Sequence, residues 1–172
     1  KARAMVLVDP VILPSHWLLA LRLARALGLH SWVPLVRATL RRRRTWPDEQ
    51  ACFDHYRHKP LFVRWSDEAL WDYVRAATRQ AGDGLILRYP PEWEAHIFAT
   101  VPAGIWRDVP RLRVPCLVVR GEHSTTFVPG ALARVARLLP EARIATLRGA
   151  GHLLPMERPS ETAAAILDFL TN

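Results

Sequence analysis

Apolar positions along this chain follow two patterns. Three short runs, Ala4–Val8, Cys116–Val119 and Ile144–Leu147, are continuously apolar and rich in β-branched residues. Such runs predict strands of a parallel sheet buried on both faces, where an alternating pattern would predict a half-exposed one. Between the second and third runs, Leu132, Val135, Ala136 and Leu139 recur at helical spacing, so Pro129–Leu139 reads as a crossover helix. A last helix is predicted over Pro159–Leu170. Positions 11–108 have a different character. Helices are predicted at His16–Leu29 (closed by Gly28), at Trp32–Arg43, from a Thr45 cap to about His58, from Ser66 to about Arg79, and at Glu92–Thr100. Gly82-Asp-Gly84 breaks the chain, and Leu85–Tyr89 reads as extended. An insert of this length far exceeds an ordinary crossover between parallel strands. The expected organisation is α/β: a core of 1–10 and 109–172, and a mainly helical insert at 11–108.

Composition bounds the class. Half of the 172 residues are apolar, enough for a folded core, and no apolar run is long enough to span a membrane. The chain has only two cysteines, and Cys116 falls in a strand expected to be buried. No disulfide framework is indicated, so a reducing cytoplasm is the expected location. Basic residues outnumber acidic ones by 24 to 16, for a formal charge of +8. The densest cluster is Arg41–Arg44, with Arg37 one turn earlier. A phosphate patch is one reading, but no zinc-ligand spacing, RNA-binding aromatic motif or helix-turn-helix accompanies it. A solvated helix face is preferred, and nucleic acid ranks last among partners. His55 and His58 lie one turn apart with no further ligand evident, so neither a metal nor another cofactor is expected. All seven tryptophans lie between 11 and 108. Most are needed for the insert's own core; Trp17, Trp32, Trp71 and Trp93 are candidates for contact with an apolar substrate.

Candidate chemistry gathers at one edge of the predicted sheet. Functional groups in parallel sheets collect beyond the carboxyl ends of the strands. His152 lies there, on a loop freed by Gly149 and Gly151, and histidine is the side chain that exchanges protons near neutral pH. Asp9 ends the first strand and precedes Pro10, which predicts extended backbone at Asp9. That places a carboxylate and an imidazole on the same edge.

Gly151-His152-Leu-Leu-Pro-Met-Glu-Arg-Pro159, followed by a helix ending Ile166-Leu-Asp-Phe-Leu170, resembles the C-terminal signature of α/β-hydrolases with a helical cap. The resemblance covers Leu112 to the end. It implies part of a doubly wound, mostly parallel sheet. Val6–Val8 would be the sixth strand, 11–108 the cap, and 116–119 and 144–147 the seventh and eighth strands. It also implies that His152 is the histidine of a nucleophile–His–acid triad acting on a small, largely apolar, ester-like substrate. Two departures stand out. None of Ser15, Ser31, Ser66, Ser124 and Ser160 lies in a Gly-x-Ser-x-Gly elbow. Three or four residues after Gly121, where many relatives carry the acid, this chain has Ser124 and Thr125. Asp9 is the preferred acid, as in relatives that place it after the sixth strand, with Glu122 the alternative. The chain alone is therefore expected to be inactive. Three strands leave an open edge, so a missing N-terminal half or a second chain is expected to complete the sheet. A non-catalytic binding protein on the same scaffold is the competing expectation.

Overall fold

The three continuous apolar runs form one parallel sheet in the computed structural model, which describes residues 2–29, 33–100 and 104–172. In chain order the elements begin with β1 (Met5–Val8), α1 (Ser15–Ala26), α2 (Pro34–Leu40), β2 (Thr45–Trp46) and α3 (Glu49–Arg57). They continue with α4 (Asp67–Ala77), β3 (Thr78–Ala81), β4 (Gly84–Leu87), α5 (Pro91–Ala99) and α6 (Ile105–Asp108). A 3-10 turn at Val109–Arg111 leads into β5 (Cys116–Gly121), α7 (Pro129–Leu138), β6 (Arg143–Leu147), α8 (Leu154–Glu157) and α9 (Pro159–Thr171). The described residues fall into two compact units, Lys1–Leu18 with Ala103–Asn172, and Leu19–Pro102. Among them, no helix is long and apolar enough to cross a membrane.

The first unit holds the sheet β1-β5-β6, with both pairings parallel. β5 is central and buried along its whole length. Its alternate side chains serve two cores, as the twofold repeat of a strand requires. Cys116 and Val118 pack with Ile12, Phe127, Ala131 and Val135, largely from α7 and the loop before it. Leu117 and Val119 pack on the other face with Ala150 and Leu154, backed by Ala165, Ile166 and Phe169 of α9. Burial on both faces is why β5 reads as a continuous apolar run, while β1 is half-buried throughout and β6 is exposed at Arg143 and Thr146. Trp106 belongs to this unit, where its indole Nε1 donates to the Leu13 carbonyl at 2.9 Å.

The second unit holds more strand than the one extended stretch expected at Leu85–Tyr89 in a mainly helical insert. It contains a three-stranded antiparallel sheet, β2-β4-β3. Thr45 is not a helix cap: it and Trp46 pair with Ile86 and Leu85, and α3 is capped by Asp48, whose side chain accepts from Ala51 N at 2.7 Å. The residues after Ala77, expected to continue a helix, form the first strand of a hairpin that turns at Gly82, where φ is +59°. Ser66 does cap α4, accepting from Ala69 N. α2 ends at Leu40, so the arginine run is not a solvated helix face. The Arg42 guanidinium pairs with Glu94 and reaches the Tyr73 hydroxyl at 3.0 Å, while Arg44 pairs with Glu92. Arg43 Nε donates to the Thr45 carbonyl and its guanidinium lies over Trp46. Trp46, Phe53, Tyr56, Phe62 and Trp65 are buried as this unit's aromatic core.

Candidate active site

The carboxyl ends of β1, β5 and β6 bring three loops together within the first unit. Asp9 follows β1 and keeps its place in the sheet by donating its backbone N–H to Val119 O at 2.7 Å. Its φ is +39°, which corrects the extended geometry expected from Pro10. Aspartate tolerates the left-handed region better than most residues, yet the conformation still costs on the order of 1–3 kcal/mol. The twist turns the side chain inward, where it is 1% exposed. Burial of a carboxylate requires partners. Gly121 N donates to Oδ1 at 2.9 Å, and Ser124 Oγ donates to Oδ2 at 2.6 Å. Thr126 Oγ1 donates to the same oxygen at 3.2 Å, and His152 Nδ1 lies 2.8 Å from it. Four polar groups thus surround its two oxygens.

His152 reaches this carboxylate because its loop is pinned against β5. Gly149 adopts φ +67°. Its N–H donates to Glu122 Oε2 at 2.8 Å, His123 N donates to Ala150 O at 2.8 Å, and Gly151 N donates to Glu157 Oε2 at 2.6 Å. The approach is so close that a Cβ on Gly121 would overlap the Gly151 carbonyl oxygen and come within 2.7 Å of that of Ala150. Glycine is required there for contact between loops. The His152 side chain is 32% exposed. When Nδ1 carries its proton and faces Asp9, Nε2 is left with a lone pair, the arrangement that lets an imidazole take a proton from a substrate or nucleophile.

The structure brings Asp9, not Glu122, to the imidazole. Glu122 is half exposed, and its carboxylate is held below the usual range chiefly by the Gly149 N–H bond; it braces the histidine loop. Sequence reasoning missed Thr126 and Glu157, and treated Ser124 only as the position of an absent acid. A hydroxyl has no sequence signature as a carboxylate partner, so only the fold reveals these roles. The tryptophan candidates scatter. Trp17 is 46% exposed in the first unit, and Trp93 is 59% exposed and stacked on Tyr89 in the second. Trp71 stacks on Phe53 at 4.4 Å between ring centroids, and Trp32 lies outside the described residues. His55 bonds to Lys59 Nζ at 2.7 Å; among the described residues no cluster of histidine, cysteine and carboxylate side chains could hold a metal ion.

A 70-residue stretch, 41% of this chain, is 39% identical to 2-(acetamidomethylene)succinate hydrolase of Mesorhizobium japonicum, covering 23% of that protein. The crystal structure of E-2-(acetamidomethylene)succinate hydrolase superposes on 99% of this chain with a TM-score of 0.72 and 20% identity, covering 58% of that structure. An esterase of M. tuberculosis superposes with a TM-score of 0.68 and 21% identity over 99% of this chain and 55% of its own. The chain thus spans less than two thirds of the length of these relatives. Residues 1–165 match the alpha/beta hydrolase family as a whole, and the chain belongs to that family.

Proposed function

We propose that this chain carries the proton-transfer half of a hydrolase: His152 as general base, Asp9 as the acid that orients it. The observation behind this reading is the 2.8 Å approach of His152 Nδ1 to the buried Asp9 carboxylate at the carboxyl edge of the sheet. In the mechanism, Nε2 takes the proton of an attacking nucleophile as it adds to an acyl carbon. Asp9 holds the Nδ1–H tautomer and stabilises the imidazolium, which then passes its proton to the leaving group. The nucleophile comes from outside these 172 residues, since no serine here stands in a Gly-x-Ser-x-Gly elbow. An upstream segment or a second chain supplies it and pairs with β1, whose one partner strand among the described residues is β5. The insert at 11–108 corresponds to the cap of capped relatives, and its exposed tryptophans, Trp17 and Trp93, offer apolar surface. The substrate is a small, largely apolar ester: the esterase relative supports the ester bond, and the exposed tryptophans of the insert support the apolar character.

The test joins this chain to a nucleophile-bearing segment of the family and follows release of p-nitrophenol from short acyl esters. Turnover that His152→Ala abolishes is the expected result; turnover indifferent to that change would overturn the assignment. The absent elbow also favours a second reading, a binding protein on a hydrolase scaffold. Saturable ester binding by the joined protein without hydrolysis would select it.

A further inference from the structure

Thr126 stands where two functional groups meet. Its Oγ1 is 2.8 Å from His152 Nδ1 and 3.2 Å from Asp9 Oδ2, and lies 3.3 Å from Ser124 Oγ. Ser124 Oγ is already committed, donating to Asp9 and accepting from Phe127 N at 3.0 Å. Asp9 Oδ2 therefore has one direction occupied by Ser124 and shares the rest between Thr126 and His152. A third-exposed imidazole on a loop, held at one nitrogen by a single acceptor, can still pivot about that bond. Two acceptors at the same 2.8 Å, on different strand-end loops, define the ring plane as well as its distance.

We propose that Thr126 is a positioning residue that, with Asp9, fixes His152 as the Nδ1–H tautomer with Nε2 directed away from both. The Nδ1–H is shared between Asp9 Oδ2 and Thr126 Oγ1, and the threonine hydroxyl passes its own proton toward Asp9. The opposite tautomer would set an imidazole lone pair against the carboxylate, leaving the threonine hydroxyl as the one donor for Nδ1. Thr126 thus acts through His152 and does not touch the substrate. This inference rests on the reading of His152 as the base.

The experiment records two-bond proton–nitrogen correlations of the imidazoles in the full chain labelled with ¹⁵N-histidine, at mildly alkaline pH, with His152 assigned by its loss in His152→Gln. The intact chain should show His152 protonated at Nδ1 alone. Thr126→Val, and Thr126→Ala as a variant that adds no methyl where the hydroxyl was, should shift the tautomer ratio toward Nε2–H by several-fold to about tenfold, the worth of one hydrogen bond. Thr126→Ser should restore the original spectrum. Unchanged His152 nitrogens in both hydroxyl-free variants, or failure of the serine variant to restore them, would overturn the role of Thr126. Asp9→Asn separates the two levels: if it leaves the tautomer unchanged, the His152–Asp9 pairing itself fails. If it shifts the tautomer while the threonine variants do not, only the Thr126 proposal fails.

Discussion

At the scale of single residues, the site depends on two backbone positions as much as on its titrating groups. Gly121 ends β5, donates its N–H to Asp9, and lies against the carbonyls of Ala150 and Gly151. Gly121→Ala would force the histidine loop off the sheet, because backbone atoms cannot yield as a flexible side-chain tip can. A loss of about 1–3 kcal/mol is expected, visible as a lowered midpoint in thermal or urea unfolding; an unchanged midpoint would show that the loop is not pressed there. Asp9 combines a left-handed backbone with a buried carboxylate. The sequence signalled its location through the strand end and Pro10 but misjudged its conformation, since the preference of a residue before proline is a local steric effect that four tertiary donors override. Ser124 and Thr126 were illegible as site residues for a related reason: their significance lies in partners more than 110 positions away.

At the scale of elements, β5 was readable because burial on two faces writes a continuous apolar run, β1 and β6 because their half-buried pairing with it keeps most positions apolar, and α7 and α9 because one buried stripe writes a helical period. The small antiparallel sheet was harder. β2 is two residues long and β3 is mostly exposed, so neither leaves a hydrophobic pattern. The histidine loop, tied by Glu122, His123 and Glu157, yields a pH prediction. Glu122 titrates below the ordinary carboxylate range because Gly149 N–H binds its ionised form. A depressed folded-state value means the contribution is present above the unfolded value, roughly pH 4.3, and is lost as pH falls through the lower folded one. Thermal stability should therefore decline in that acid window, and Glu122→Gln should flatten part of the decline. An identical pH profile in the variant would remove Glu122 as the loop's brace.

At the scale of the whole molecule, the two units protect one cysteine each. Burial pushes the Cys52 thiol up to about 11, and burial likewise raises Cys116. Because the thiolate is the reactive form, both should resist an aromatic disulfide reagent at mildly alkaline pH and react together once the chain is denatured; rapid reaction of the native chain would contradict the packing of the unit concerned. The family assignment and the parallel sheet describe a scaffold, and scaffolds of this kind host many reactions. What makes this one a candidate hydrolase is the pairing of one imidazole with one buried carboxylate. The most direct measurement is the ester hydrolysis rate of the chain joined to a nucleophile-bearing segment, compared between Asp9→Asn and Glu122→Gln. Asp9→Asn should lose about three to four orders of magnitude in turnover, as expected when the histidine is left in the wrong tautomer, while Glu122→Gln keeps most of it; full activity in Asp9→Asn with collapse in Glu122→Gln would contradict the assignment.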